Sequence, residues 1–181
     1  MITYTVDAND ILVDIGGDWD EFARENEGLG LTRDNVLGTP LFTFIQGAEV
    51  VTIYKALFAK ARREQRPLSF TFRCDAPSCR RTMKIEIAPL TDQAIAVQTD
   101  LIESHGRDAV RLLDTGAVRT HEFLTMCCVC GDVKSANGQW VAIEEESARL
   151  RLLERTAVPQ LSHAYCPKCL AEQLRLLEEP A

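Results

Sequence analysis

The sequence predicts an α+β fold, in which a five-stranded antiparallel sheet with helices on one face is followed by a small cysteine-rich C-terminal module. Three observations predict it. Segments of alternating apolar and polar residues open and close roughly the first hundred residues, and a longer helical pattern lies between them. Two Cys-x-x-C pairs then occur in the last third of the 181-residue chain.

The chain opens with a predicted hairpin. Ile2–Val6 and Ile11–Ile15 are rich in β-forming residues, and turn-forming residues lie between them. Asp18 and Thr32 are then suitable N-caps for two short helices, because their side-chain oxygens can accept hydrogen bonds from the first free N–H groups.

The longest predicted helix of this half is Ala48–Glu64, which Pro67 prevents from continuing. Its apolar residues recur at helical spacing, so one face is expected to be buried. The residues predicted on that face are Val51, Tyr54, Leu57, Phe58 and Ala61.

Three more strands are predicted after this helix, at Leu68–Arg73, Thr82–Ala88 and Ala94–Leu101. Apolar and polar residues alternate in each, which indicates a sheet with one face on a core. Together with the opening hairpin they complete the five strands, and the intervening helices are expected to gather on one face.

The order of these elements resembles that of PAS sensory domains over residues 1–102. The stretch Val36–Phe42 is similar to the short helix and turn that precede the long helix of that family. The resemblance implies a domain that binds a small molecule between sheet and helices, or that forms a dimer. Haem and flavin are not expected, since the long helix has no histidine and the motif for covalent flavin photochemistry is absent.

Residues 103–124 are interpreted as a connector. Ser104–Asp108 is rich in turn-forming residues, and residues 110–118 could form a short amphipathic helix or an extended bridge. The remaining residues, 125–181, form the predicted C-terminal module.

The C-terminal module carries the strongest chemical signal. Cys127 and Cys130 form one Cys-x-x-C pair, and Cys166 and Cys169 form another. Pairs at this spacing can direct their thiolates at one ion about 2.3 Å from each sulfur, the tetrahedral arrangement of zinc. We therefore predict one structural Zn²⁺ bound by these four cysteines, because four thiolates leave no open coordination position for catalysis.

Roughly 35 residues separate the two pairs, so this stretch must contain structure of its own. Asn137-Gly138 predicts a hairpin turn, and Glu144–Arg155 predicts a helix that Pro159 ends. Pro167 is favourable just inside a final helix that begins at Cys166.

A knuckle, a hairpin and a helix that supplies the second ligand pair are similar to the treble-clef zinc fold. The segment also resembles cysteine-rich modules appended to bacterial signalling proteins. The residues that fit the pattern of those modules, besides the four cysteines, are Trp140, Glu144 or Glu145, and Ser162-His163.

Other residues could take part in the chemistry. Cys128 is expected to be a bystander that could replace a neighbouring cysteine, and His163 is expected to hydrogen-bond or pack near the site, with ligation as the alternative. Cys74 and Cys79 lie beside arginines that favour thiolates, which leaves redox chemistry open there as well as at Cys127 and Cys130.

Composition restricts the partners. The net charge of −7 and the pI of about 5.0 disfavour nucleic acid, whose phosphates repel an acidic protein. No apolar stretch reaches the roughly 20 residues of a membrane span, and a secretory signal is not expected. The odd count of seven cysteines favours a reducing cytoplasm over a disulfide framework.

The leading hypothesis is a non-catalytic, cytoplasmic bacterial sensory or regulatory protein. Its PAS-like domain would bind a small molecule or form a homodimer, and its zinc module would bind a partner protein or stabilise the dimer. Motifs for phosphate binding, metalloprotease or hydrolase chemistry are absent. The alternatives are a transcription regulator that binds DNA through the zinc module, and a thiol redox protein.

Overall fold

The first of two sheets has five antiparallel strands in the order β2-β1-β5-β4-β3, which confirms the predicted five-stranded sheet. The computed structural model describes residues 1–25, 28 and 30–179, so the last two residues of the predicted C-terminal module lie outside it. The strands are β1 (Ile2–Val6), β2 (Leu12–Gly17), β3 (Leu68–Arg73), β4 (Cys79–Pro89) and β5 (Ile95–Gly106).

The β4–β5 hairpin is longer than the sequence indicates. The predicted break at Ser104–Asp108 is wrong in its first half, since β5 continues through Gly106 and Cys79 of β4 pairs with Gly106. Ser104 and His105 are turn formers only where the backbone lacks other partners. Here the facing residues of β4 supply hydrogen bonds, and tertiary pairing overrides local propensity.

The helices of the first half begin with α1 (Trp19–Glu25) and α2 (Arg33–Val36), followed by a 3₁₀ turn at Leu41–Thr43. The long helix α3 spans Ala48–Glu64, with the predicted bounds. It packs on β4 and β5, where Ile85, Ile87, Ile95 and Val97 belong to the same buried cluster.

The buried face of α3 differs in part from the predicted one. Leu57, Phe58 and Ala61 are buried as predicted, but Val50 and Ile53 take the places expected for Val51 and Tyr54, which are only half-buried. The difference arises because the C-terminal helix covers α3 on a second side. The apolar periodicity of the sequence predicts burial of one face only.

The second sheet has four strands in the order β8-β7-β6-β9. β6 and β9 are parallel, whereas the other neighbours are antiparallel. The elements of this region are β6 (Arg119–Cys127), β7 (Val133–Lys134), β8 (Trp140–Val141), α4 (Ile143–Arg149), β9 (Val158–Ala164) and α5 (Pro167–Glu178), with 3₁₀ turns at Arg111–Leu113 and Leu152–Glu154.

Two expectations for this region are corrected. The predicted helix Glu144–Arg155 is divided, because Arg151 adopts a left-handed conformation with φ 51° between α4 and the following 3₁₀ turn. Pro159, expected to end that helix, lies in strand β9. Proline is tolerated there because β9 is an edge strand, where an unpaired position costs no ladder hydrogen bond.

Strands β5 and β6 extend into the predicted connector, residues 103–124, from its two ends. Its first residues belong to β5 and its last belong to β6. The cysteine-bearing segments also share a core with the first sheet, since Cys127, Tyr165, Cys166 and Cys169 pack in the cluster that contains α3. Among the described residues, no helix has both the length and the apolar character needed to cross a bilayer.

Candidate metal centre

The first cysteine pair spans the last residue of β6 and the tight turn that follows it. The backbone N–H of Cys127 donates to the carbonyl of Asp132 at 2.7 Å, and the N–H of Gly131 donates to the carbonyl of Cys127 at 3.0 Å. Gly131 has φ +74°, and a Cβ there would lie 3.2 Å from Nε of Arg73. Glycine therefore allows both the turn and its close approach to the first sheet.

The second pair lies in the first turn of α5. Cys166 is the N-cap, and its sulfur accepts a hydrogen bond from the N–H of Cys169 at 3.5 Å. The N–H of Cys166 also donates to the sulfur of Cys127, 3.3 Å away. Because β6 and β9 run parallel, with Cys127 opposite Ala164, both pairs emerge at the same end of the sheet.

The structure brings the four predicted cysteines together. The sulfur atoms of Cys127, Cys130, Cys166 and Cys169 all lie within 4.8 Å of one another, and those of Cys130 and Cys166 are 3.8 Å apart. A tetrahedron with metal–sulfur bonds of about 2.3 Å has edges of about 3.8 Å. The geometry and the thiolate chemistry therefore fit a metal ion such as zinc.

The electrostatics of the metal-free thiols are consistent with a cation site. Burial and the nearby Cys127 thiolate raise the pKa of Cys130 to about 12, and burial raises the pKa of Cys169 as well. Burial also acts to raise the pKa of Cys127, but backbone N–H donors outweigh it and leave that pKa lowered. One of the four cysteines can therefore ionise readily, whereas four thiolates this close together need a compensating cation.

Cys128 and His163 lie beside this group but are not members of it. The N–H of Cys128 donates to the carbonyl of Ala164 at 2.9 Å, and burial raises the pKa of its thiol to about 12. His163 pairs with Met126 across the two parallel strands. Its carbonyl oxygen would lie 2.6 Å from a Cβ at residue 47, so glycine is needed there.

An ion-pair network that the sequence does not reveal joins the knuckle, the turn formed by residues 127–131, to the first sheet. The N–H of Arg73 donates to the carbonyl of Val129 at 2.7 Å, and its Nη1 donates to the carbonyl of Cys130 at 3.2 Å. The same guanidinium pairs with Asp75, which also binds Arg107 at 3.0 Å. The Arg and Asp residues around Cys74 are the sequence signal for this network, but the sequence does not show that a backbone segment 57 residues later is their partner.

The network extends to the segment after the hairpin. Arg107 also pairs with Glu144 at the start of α4, and Arg73 lies 3.6 Å from the same carboxylate. Asp75 and the two arginines are each about nine-tenths buried. Burial makes these ion pairs far less screened than surface pairs, so the relative placement of sheet and knuckle depends on them.

The other cysteine pair shows no comparable arrangement. Cys74 and Cys79 are free thiols. Burial raises the pKa of Cys74, which opposes thiolate formation despite nearby Arg81. Cys79 is at the start of β4, and its sulfur lies 3.0 Å from the hydroxyl oxygen of Ser104.

Aromatic rings pack between α3 and the sheet, where the PAS resemblance allows a small-molecule cavity. The ring centroids of Phe42 and Phe58 are 5.9 Å apart, and those of Tyr54 lie 6.3 Å from both Phe58 and Phe70. Larger open space lies outside this core, in a groove of about 690 Å³ beside the four cysteines.

The chain matches no protein-family model and no curated protein sequence.

Proposed function

We propose that this chain is a non-catalytic sensory or regulatory protein in which a PAS-like domain is joined to a partner-binding module stabilised by structural zinc. The observation that carries the proposal is the convergence of four cysteine sulfurs within 4.8 Å. Four thiolates complete a tetrahedral shell, so the ion would support the fold rather than activate water or substrate.

The PAS-like part of the proposal is supported by topology. The sheet order β2-β1-β5-β4-β3 is fully antiparallel, and the helices up to α3 lie between β2 and β3 in the chain. This arrangement is compatible with the resemblance found in the sequence. A small-molecule ligand or a homodimer remains part of the proposal for this half.

Direct contacts between the two halves support a regulatory role. Arg73 in β3 holds the carbonyl oxygens of Val129 and Cys130, and Lys60 in α3 holds the end of α5. A shift of β3 on binding a ligand or partner would therefore move the backbone of the knuckle, and a shift of α3 would move the end of α5. Such coupling requires a packed element that both sites influence.

The zinc requirement is tested by metal analysis of chain purified under reducing conditions. We expect about one equivalent of zinc, with loss in Cys130→Ser and Cys169→Ser. Cys79→Ser is the matched control and should retain the ion, since it lies outside the group of four. A zinc content below about half an equivalent would contradict the proposal.

The described residues favour the two alternatives less. The net charge of −7 opposes DNA binding. Redox chemistry needs an activated thiol, and the lowered pKa of Cys127 would supply one. Its sulfur, however, lies within 4.8 Å of three others in a group that fits a metal ion, and burial raises the pKa of Cys74.

A further inference from the structure

Among the described residues, the outer edge of β3 carries no further strand, and it lies next to a groove. β3 is the last strand of its sheet and pairs with β4. The N–H of Arg73 points away from β4, because it donates to the carbonyl of Val129 in the knuckle. Since outward and inward groups alternate along an antiparallel strand, the N–H groups of Ser69 and Thr71 also point outward.

These two outward N–H groups have no hydrogen-bond partner among the residues that the structure describes. The N–H of Arg73 donates to the carbonyl of Val129 at 2.7 Å, so a backbone segment of the knuckle already pairs with this edge of β3 next to Thr71. The edge can therefore form backbone hydrogen bonds with another segment. An extended chain that continued from this point would meet Thr71 and then Ser69.

Helix α5 forms the opposite wall of the groove. The space between it and β3 measures about 450 Å³ and adjoins the larger groove beside the cysteines, with Thr71, Val129 and Glu172 lining both. Apolar contact is available from Phe70, Val129 and Leu176, so alternate side chains of an added strand could be buried there.

A second observation points to a ligand at this place. Gln173 of α5 lines the groove and is only 3% exposed. Its Oε1 atom has no hydrogen-bond partner among the described residues. A buried acceptor without a partner is costly, and a backbone or side-chain N–H of a bound segment would satisfy it.

We infer that the groove between β3 and α5 binds an extended peptide segment of a partner protein, which adds as a sixth strand at Ser69 and Thr71. This inference rests on the proposed partner-binding function and names its surface. A second copy of the chain fits less well, because its own β3 is flanked by its own α5 and knuckle, which would meet the same elements here. Strand addition derives affinity from main-chain bonds and specificity from alternate side chains.

The test uses the zinc-loaded full chain and a displayed library of random peptides about ten residues long. The tightest selected peptide is labelled and titrated by fluorescence anisotropy. Thr71→Pro removes the outward N–H but leaves the pairs to β4 intact, and proline is tolerated at such edge positions. We expect at least about tenfold weaker binding to Thr71→Pro and less than about twofold change for the matched control Thr71→Ala.

Hydrogen exchange gives a second readout that needs no variant. Binding should slow exchange at the amides of Ser69 and Thr71, and N-methylation of the peptide residues that face β3 should abolish binding. The inference is overturned if the library yields no binder, or if the peptide binds Thr71→Pro unchanged. It is also overturned if Thr71→Pro converts a dimer of the chain to a monomer, which would make a second copy the occupant.

These outcomes separate the two proposals. If the peptide still binds Thr71→Pro but is released when zinc is removed, the β3 edge is not the binding surface. The proposed partner-binding function would still be supported in that case. Chain that binds no zinc would refute the proposed function, whatever the peptide does.

Discussion

The ammonium group of Lys60 donates a hydrogen bond to the main-chain carbonyl oxygen of Leu177, 3.1 Å away. The lysine lies on α3 and is 2% exposed, and it also bonds to the carbonyl of Glu179 and pairs with Glu64 at 3.1 Å. The last carbonyl groups of a helix have no partners within it, and a cation there also complements the helix dipole. Lys60 therefore attaches the end of α5 to the first half of the chain.

Replacing this lysine should loosen α5. Lys60→Met keeps most of the side-chain volume but leaves the carbonyl oxygens of Leu177 and Glu179 without their donor. We expect a loss of about 1–3 kcal/mol in the free energy of unfolding, with faster hydrogen exchange in the last turn of α5. Lys55→Met, at an exposed position of the same helix, should cost about 1 kcal/mol or less. Equal effects of the two changes would contradict this role for Lys60.

The buried ion-pair network should be sensitive to removal of its central carboxylate. Asp75→Asn leaves the buried guanidinium groups of Arg73 and Arg107 with Glu144, which is 37% exposed, as their remaining shared carboxylate. Removing one partner of a buried pair costs about 3–5 kcal/mol. Because Glu144 compensates in part, we expect a loss near the lower end of this range, measured by denaturant titration.

The control for Asp75 is an exposed ion pair. Glu154→Gln removes a pair with Arg151 in which both side chains are more than half exposed. It should change the free energy of unfolding by about 0.5 kcal/mol or less. If Asp75→Asn is as mild as this control, the network does not hold the knuckle to the sheet.

Substitution of Cys128 tests whether the metal is bound by the group of four cysteines or by a larger set. Its sulfur is outside the group, although it adjoins Cys127 in the chain. Cys128→Ser should therefore retain about one equivalent of zinc, whereas Cys127→Ser should lose it. Loss of the ion from Cys128→Ser, with the fold intact by circular dichroism, would place Cys128 among the ligands.

Stability should fall in acid partly through Glu146. Its hydrogen bonds from Arg149 outweigh its burial and lower its pKa from 4.5. A carboxyl with a lowered folded-state pKa stabilises the fold fully above its unfolded pKa, and this contribution is lost as pH falls through the folded value.

The measurement compares the chain with Glu146→Gln by denaturant titration from about pH 7 down to about pH 3. The variant should be less stable at neutral pH. The difference between the two chains should narrow below about pH 4.5, where the carboxyl of Glu146 becomes protonated in the unfolded chain, and should close as the pH falls through the lower pKa of the folded chain. A difference that stays constant across this range would show that the charge of Glu146 does not contribute.

Local sequence signals were sufficient for part of the fold. The bounds of α3 followed from apolar periodicity and from Pro67, and the two Cys-x-x-C pairs indicated which side chains would converge. Each of these features depends on residues close together in the chain. The spacing of cysteines in particular reflects a geometric requirement that few other arrangements satisfy.

Other features depended on partners distant in the chain. Pro159 indicated a break locally, yet β9 forms because β6 offers a parallel partner some 40 residues earlier. The pairing of Arg73 with the knuckle carbonyls likewise joins residues separated by 57 positions. Neither contact leaves a periodic pattern in the sequence, so the parallel pairing of β6 with β9 and the buried network could be found only from the structure.

The parallel pairing of β6 with β9 has a consequence for how the chain is made. Cys127 and Cys130 leave the ribosome well before Cys166 and Cys169, and they have no complete ligand set until α5 has emerged. Long-range closure of this kind is slow compared with helix formation. Until α5 has emerged, the nascent polypeptide therefore presents the thiols of Cys127 and Cys130 to oxidants and to competing metals, and a premature stop before α5 would leave them so permanently.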